Sequence, residues 1–297
     1  MIEKMKFYQK YKLKYTDRMA YNYYKYQLHL QGVTPPALEV PFKEIYDFKH
    51  SGNCGDIIYA IPAMLGLAGN SGCNLHLHLN QPAHFEKHIT HPLGNVMLNS
   101  KIFEMFRPLM EHQQYINICD EYVAQTIDYD LDKFRQYPLK LDRGNIARWN
   151  MLVYPVAYDL NNAWLTAPIE TGLNDAILIA RSSRYNAPGI NYKFLNKYRD
   201  VYFVGVEEEF KEMNKQITHL KYLPINNFLE MASYIVSAKL FIGNQSFPFS
   251  MAEAMKVNRL LEVYFRAPNV NVYGTKGFDF CFQPQFEYLV KKRYEDL

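Results

Sequence analysis

The chain is 297 residues long, with 48% apolar and 21% charged residues, a composition typical of a globular protein large enough for two domains. The formal net charge of +3 comes from the first 26 residues, which hold seven Lys and Arg against two acids, whereas the rest of the chain holds 26 basic and 28 acidic side chains. This balance excludes nucleic-acid binding by the body of the protein, and no secretory signal or membrane-spanning apolar stretch is visible.

The cysteines and the basic N-terminal arm bear on where the protein works. Four cysteines, at positions 54, 73, 119 and 281, lack the spacing of a disulfide framework, so we expect a cytoplasmic protein. Residues 1–26 are rich in Lys and Tyr. Such an arm can touch an anionic membrane face, which would place the protein peripherally at the inner membrane, or it can be a solvated helix packed on the body.

The N-terminal half begins as a βαβ unit. In chain order we predict a helical arm over 1–31, a break at 32–36, a strand at 44–48, a loop at 52–56, a helix at 57–68 and a strand at 75–79. The patterns between residues 84 and 165 are weaker, with helices expected at 103–110 and 146–158.

The C-terminal half alternates apolar strands with helices. The expected strands are 176–180, 201–205, 240–243 and 260–265, and the expected helices are 192–198, one opening at 207–209, 227–238 and 251–255. Strands that alternate with helices predict an α/β fold with a doubly wound parallel sheet. Ligands of such sheets bind beyond the carboxyl ends of the strands, so the site is expected in the loops at 52–56, 181–185, 205–209 and 244–250.

Three segments resemble the heptosyltransferases of lipopolysaccharide synthesis. Residues 55–63, Gly-Asp-Ile-Ile-Tyr-Ala-Ile-Pro-Ala, are similar to the Gly-Asp-x-(Ile/Leu/Val)-x-x-x-Pro segment that opens this family. Gly205 followed by three glutamates, and residues 240–254 around Gly243-Asn244-Gln245-Ser246, are similar to its two C-terminal segments. The order and spacing agree over roughly residues 44–80 and 175–265.

The resemblance implies the GT-B fold, in which two Rossmann-like domains face each other across a cleft. It implies domains at 41–168 for the acceptor and 169–297 for the nucleotide-sugar, after an arm at 1–40. It also implies a metal-independent inverting transfer to a glycan or glycolipid hydroxyl, with the nucleotide-sugar as co-substrate and no cofactor. Three positions depart from the family: its Asp is Gln245, its Gly is Phe247 and its His is Ser250.

Asp56 is the candidate general base, because the matching Asp of the family has that presumed role. A carboxylate within hydrogen-bond reach can take the proton of an acceptor hydroxyl as it attacks the anomeric carbon. Gly52, Asn53 and Gly55 form the loop that presents it. The alternative is that Asp56 only caps the following helix.

The candidate donor-binding residues follow the C-terminal strands. Two arginines and a hydroxyl after a buried strand suit a diphosphate, a glutamate suits a ribose, and the loop before a helix can cradle phosphate through its N–H groups. These residues are Arg181, Ser182, Arg184, Lys193, Glu208, Asn244, Gln245, Ser246 and Ser250. The alternatives are an ion pair for the arginines, first-turn acids for the glutamates and helix caps for the serines.

Other patterns carry less weight. Asp128-Tyr129-Asp130 is a D-x-D pattern of the kind that binds metal in another glycosyltransferase fold. Cys54 could be a nucleophile. A zinc site could be suggested by the histidines at His76, His78, His84, His88 and His91. We expect no metal site. Two rival functions stay open: a catalytically inactive protein that binds sugar nucleotides or glycans, and another enzyme of the same fold, such as a nucleotide-sugar epimerase.

Overall fold

The computed structural model of the chain describes residues 4–83, 96–170 and 172–296, in which helices alternate with parallel strands. The helices are α1 (Phe7–Thr16), α2 (Arg18–Leu30), α3 (Cys54–Ala68), α4 (Ser100–Glu111), α5 (Glu207–Asn214), α6 (Phe228–Ser237), α7 (Phe247–Met255) and α8 (Gln283–Val290). The strands are β1 (Ile45–His50), β2 (Gly72–Leu77), β3 (Ile116–Glu121), β4 (Tyr129–Asp130), β5 (Ile177–Ala180), β6 (Val201–Phe203), β7 (Lys221–Tyr222), β8 (Leu240–Asn244), β9 (Arg259–Glu262) and β10 (Gly277–Phe280). The predicted α/β class is confirmed.

The N-terminal sheet has the strand order β3-β2-β1-β4, with all neighbours parallel. Tyr46, Phe48 and His50 alternate onto its buried face, as half-buried strands require. The chain runs outward from β1 to β2 and β3, then returns to place β4 on the other side of β1. The loops that follow β1 and β4 therefore diverge, and such a switch point is where parallel sheets open a crevice for ligands.

The C-terminal sheet has the order β10-β9-β8-β5-β6-β7 and is also parallel throughout. Every residue of β5, β8 and β9 is buried, which explains the apolar runs of β5 and β8, whereas β9 begins and ends with the buried charged residues Arg259 and Glu262. The chain leaves β5 toward β6 and β7 and then crosses back to β8. The switch point of this sheet thus lies between β5 and β8, at the loops that start with residues 181 and 245.

The two sheets are joined by helix packing. Helix α3 packs on α7, and α4 packs on α6. The ring of Phe247 lies between Phe106 and Phe228, with ring centroids 6.1 and 4.6 Å away. Because one apolar cluster includes residues of both halves, the seam between the sheets is packed at this point and the expected cleft is filled there.

Several predicted elements have different bounds. Helix α3 begins at Cys54, so Asp56 lies within its first turn, and α7 begins at Phe247 rather than at residue 251. Pro248 is compatible with that early start because a first-turn residue needs no N–H partner. The predicted helices at 146–158 and 192–198 are wrong: 3₁₀ turns replace them at Ile146–Arg148, Asn150–Leu152 and Lys193–Lys197.

Candidate active site

Asp56 lies at the switch point of the N-terminal sheet and is held by an arginine from the neighbouring loop. Its Oδ2 accepts a hydrogen bond of 2.8 Å from Nη2 of Arg135, which comes from a 3₁₀ turn shortly after β4. The Asp56 side chain is 23% exposed and that of Arg135 is 27% exposed. Within the described residues Oδ1 makes no hydrogen bond, so one carboxylate oxygen is fixed and the other can receive a proton.

Helix capping does not explain Asp56. The N-cap residue of α3 is Asn53, and Asp56 is the third residue of the helix, facing Arg135. Arg135 also approaches Oδ1 of Asp132 through Nε at 3.4 Å. Although burial alone would lower the pKa of Arg135, the charges of Asp56 and Asp132 raise it, so the guanidinium stays protonated.

The side chains of this cluster pack so closely around Gly52 that a Cβ would not fit there. A Cβ at this position would lie 2.6 Å from Nη2 of Arg135, 2.6 Å from Cε1 of His50 and 2.9 Å from Cβ of Asp56. His50 is fully buried, its Nδ1 accepts the Gly52 N–H at 2.8 Å, and burial lowers its pKa. The imidazole is therefore neutral with its proton on Nε2, an atom that has no partner among the described residues.

Sequence reasoning missed His50, Asp132 and Arg135. Arg135 is 79 positions from Asp56 in the chain. Sheet topology could have indicated these residues. The acidic run at 128–132 lies at the end of a strand that pairs with β1, so the loop after it reaches the edge of the sheet where the loop after β1 begins.

At the switch point of the C-terminal sheet, Asn244 forms hydrogen bonds to the loop that follows β5. Its side chain is fully buried, its Oδ1 accepts the Ser182 N–H at 3.1 Å, and its Nδ2 donates to the carbonyls of Ser182 and Arg184. Asn244, predicted to contact the donor, instead fixes the shape of the loop after β5. The Arg184 side chain is half-buried, lies over the ring of Tyr185 and has no salt bridge within the described residues.

Arg181 is engaged by a buried carboxylate. Its Nε and Nη2 donate to Glu262 at 2.6 and 2.7 Å, and Glu262 is fully buried. The same carboxylate accepts the hydroxyl of Tyr192 and the N–H of Ala187. Arg181 thus forms an ion pair, the alternative named for it above, with a partner from the same sheet, and its predicted diphosphate contact stays a prediction.

The side chains of two residues that depart from the family pattern, Gln245 and Ser250, also form hydrogen bonds within the protein. Gln245 donates to the carbonyl of Ala267 and to Asn269, and accepts the Tyr264 N–H, so its side chain fixes the loop at 264–269. Ser250 is buried inside α7 and donates to the carbonyl of Phe247 at 2.6 Å. Ser246 is the N-cap residue of α7 and is half-buried, without a side-chain capping bond.

Two of the acids at the start of α5 have different environments: one is exposed to solvent, and the other binds the loop after β5. Glu208, the predicted ribose ligand, is exposed, whereas Oε1 of Glu209 accepts the Ser183 N–H at 3.0 Å. Lys193 is exposed in its 3₁₀ turn. Glu209 is therefore the acid of α5 for which the structure shows a hydrogen bond to the loop after β5.

The half-buried carboxyl of Glu209 predicts a pH-dependent stability. Burial raises the pKa of Glu209, while the Ser183 hydrogen bond and the charge of Arg184 lower it by less. The folded protein therefore loses stability as pH rises from 4.5, the ordinary pKa of a glutamate, through the raised pKa of Glu209. We expect Glu209→Gln to be more stable than the parent at pH 7 and equal to it near pH 4. Urea unfolding at both pH values measures this, with exposed Glu208→Gln as the control; a Glu209→Gln variant that is less stable at pH 7 contradicts it.

The remaining candidates have other roles. Asp128 pairs with Lys43 and Asp130 with Lys49, so the D-x-D pattern forms ion pairs. His76 bridges Asp47 and Asp120, while His84, His88 and His91 lie outside the described residues. Burial raises the pKa of the Cys54 thiol, which opposes a nucleophilic role. In the part of the chain described, no group of three or more His, Cys, Asp or Glu could hold a metal ion.

The starts of α3 and α7 meet, one from each half of the chain. A Cβ at Gly55 would lie 3.7 Å from Cα of Phe247 and 3.8 Å from Oγ of Ser250. Gly55 precedes the Asp56 carboxylate, and Phe247 follows the Ser246 N-cap. The loop that carries the candidate base and the helix predicted to cradle the donor are thus in direct contact.

The fold matches that of a solved sugar transferase. The structure of E. coli heptosyltransferase WaaC with ADP aligns at a TM-score of 0.54 and 7% identity, covering 84% of this chain and 99% of WaaC. WaaC with ADP-2-deoxy-2-fluoro heptose gives 0.52 and 8%, covering 85% and 99%. A glycosyl transferase family 9 structure from Veillonella parvula gives a weaker 0.45 at 12%, covering 85% and 89%. No family model and no curated protein matches the sequence. At these identities the likeness to the two WaaC structures establishes a shared α/β fold with two parallel sheets.

Proposed function

We propose that the protein is an inverting glycosyltransferase that moves a sugar from a nucleotide-sugar to a hydroxyl of a glycan or glycolipid. The observation that carries this proposal is the contact between Gly55 and the start of α7, because it brings the helix turn that precedes and carries Asp56 next to a helix start from the other half of the chain. The WaaC structures, determined with ADP and with an ADP-heptose analogue, share this fold and support a nucleotide-sugar as donor.

Asp56 is the general base of this reaction. Its Oδ1 removes the proton from the acceptor hydroxyl as the oxygen attacks the anomeric carbon, and the nucleoside diphosphate leaves from the opposite face. Arg135 keeps the other oxygen in place, which fixes the direction in which Oδ1 points. Such orientation is a large part of what a positioned base contributes to the rate.

The leaving diphosphate needs positive charge if no metal supplies it. The Arg184 guanidinium is the group that we assign to it, together with the Phe247 N–H. The other N–H groups at this helix start do not take part, because Pro248 has none and those of Ser246, Phe249 and Ser250 donate to backbone carbonyls. Arg181 and Gln245 do not belong to this set because Glu262 and residues 264–269 occupy them. Ser182 and Asn244 act by fixing the loop that carries Arg184.

We assign the acceptor to residues 41–168 and the nucleotide-sugar to residues 169–297, with the arm at 1–40 outside both. The proposed site needs no metal and no cofactor besides the nucleotide-sugar, and we place the protein in the cytoplasm. Within the residues described, no helix combines the length and apolarity that crossing a membrane requires.

A ligand screen tests the proposed function. We expect one member of a panel of ADP-, GDP-, UDP- and CDP-sugars to raise the Tm by roughly 5 °C at 100 times its Kd, since it binds only the folded state. The same compound is then expected to be consumed, with release of nucleoside diphosphate. A panel in which no compound shifts the Tm contradicts the proposal.

The second candidate function is a binding protein without activity. It is favoured by the side chains of Gln245 and Asn244, which are both turned into the protein where donor contacts were expected. A Tm shift without any turnover, in the presence of a range of glycan acceptors, distinguishes this function. Conversion of the donor to another sugar without an acceptor would instead indicate an epimerase.

A further inference from the structure

The N-terminal arm folds as a hairpin of two helices whose aromatic side chains point into solvent. Helix α1 buries none of its residues, and α2 buries only Tyr24. Phe7, Tyr11 and Tyr15 follow one another at helical spacing along α1, with exposures of 84%, 57% and 67%. On α2 the large side chains of Met19, Tyr23 and Tyr26 are exposed as well.

The hairpin is also strongly basic. Residues 4–30 hold seven Lys and Arg and a single acid, Asp17. Asp17 is used as the N-cap of α2, where it accepts the Ala20 N–H at 2.9 Å. The seven basic side chains are Lys4, Lys6, Lys10, Lys12, Lys14, Arg18 and Lys25. None of these basic side chains forms a salt bridge within the described residues. Five of the seven residues are exposed, and Lys10 and Lys14 are half-buried.

We propose that this hairpin is a docking surface for an anionic lipid membrane. Lysines near an anionic bilayer each contribute on the order of 1 kcal/mol to binding, and aromatic rings settle at the level of the lipid headgroups. A helix that presents both, without the length to cross, lies in the plane of the interface. The rest of the chain has a slight excess of acids and gives no such attraction.

The exposed apolar side chains favour a membrane over a dissolved polyanion. Lysines alone are sufficient to bind a polyanion. The side chains of Phe7 and Met19, 84% and 80% exposed, add apolar surface that a dissolved polyanion leaves in water and that the acyl chains of a membrane bury. A second copy of the chain fits less well, since two hairpins of the same positive charge repel each other.

The hairpin is attached beside the candidate active site. Nε2 of His29, in the last turn of α2, lies 2.9 Å from the carbonyl oxygen of Gln136, and Lys133 donates to the carbonyl of Thr34. Both contacts are made with the 3₁₀ turn that carries Arg135. A membrane bound by the hairpin therefore lies next to the loop that holds Asp56, although the docking itself does not depend on the proposed transferase activity.

Vesicle flotation with the full chain tests this proposal. We expect binding to phosphatidylcholine vesicles that contain 30% phosphatidylglycerol, and roughly 100-fold weaker binding after Lys10→Gln, Lys12→Gln and Lys14→Gln together. The matched control removes three exposed lysines of the body, Lys211→Gln, Lys215→Gln and Lys221→Gln, and is expected to bind like the parent. Phe7→Ser with Tyr11→Ser is also expected to weaken binding, because ring burial adds to the charge.

Three results would overturn the proposal. One is the absence of binding to the anionic vesicles at 0.1 M salt. Another is equal loss in the two lysine triples, which would mean that total charge and not the hairpin is responsible. The third is retention on heparin together with unchanged vesicle binding in the Phe7→Ser, Tyr11→Ser variant, which would indicate a polyanion site.

Discussion

Replacing Asp56 by Asn is expected to lower the rate of sugar transfer by about 10²- to 10⁴-fold, the range that a positioned general base contributes. An amide has the same shape and can accept the Arg135 hydrogen bond through its oxygen, but it cannot take the acceptor proton. Because the diphosphate is assigned to groups in the other half of the chain, the Tm shift given by the nucleotide-sugar should persist. Transfer rates and thermal shifts on the same protein preparation measure both effects.

Asp130→Asn is the matched control for this substitution. Asp130 pairs with Lys49 at 2.8 Å, and its side-chain exposure of 25% is close to the 23% of Asp56. It lies at the end of β4, and its Oδ1 accepts the Asp132 N–H at 3.0 Å, a bond that an amide oxygen also accepts, so this variant is expected to keep the parental rate. An Asp56→Asn variant that retains more than about a tenth of the rate would mean that Asp56 is not the base.

Replacing Glu262 by Leu is expected to destabilise the protein by about 3–5 kcal/mol, the usual cost of removing one partner of a buried ion pair. The substitution leaves the Arg181 guanidinium, 13% exposed, without its carboxylate. It also leaves the Tyr192 hydroxyl and the Ala187 N–H without their acceptor. Equilibrium unfolding in urea measures the change in the free energy of unfolding.

The double substitution Arg181→Leu with Glu262→Leu separates the lost charge pair from lost packing. It removes both charges, so it should be less destabilising than Glu262→Leu alone, and a double-mutant cycle gives the coupling energy. If Arg181 were instead a diphosphate ligand, Glu262→Leu would leave stability within about 1 kcal/mol of the parent and alter only donor binding.

The sequence was informative where one residue type decides the structure. The apolar runs of β5 and β8 predict buried parallel strands because no other environment accommodates them. The glycines around Asp56 mark a crowded turn, and Gly52 indeed has no room for a Cβ. The positions of the candidate site loops followed from these strands by the topology of parallel sheets.

The partners of the polar side chains could not be predicted in the same way. Arg181 and Glu262 meet through strand order, 81 positions apart, and neither residue alone indicates the pair. Gln245 and Asn244 looked like ligands because they follow a strand, yet each has enough backbone partners nearby to be satisfied internally. The helix expected over 146–158 formed as short turns, where Asn145 caps one turn and Pro155 follows.

A structure of the protein with the nucleotide-sugar that gives the largest Tm shift tests the shared site most directly. We expect the diphosphate beside the Arg184 guanidinium and the Phe247 N–H, and the anomeric carbon on the side of Asp56 Oδ1 with space for an acceptor oxygen between them. A nucleotide-sugar bound with its anomeric carbon turned away from Asp56, or bound in another part of the molecule, would contradict the account.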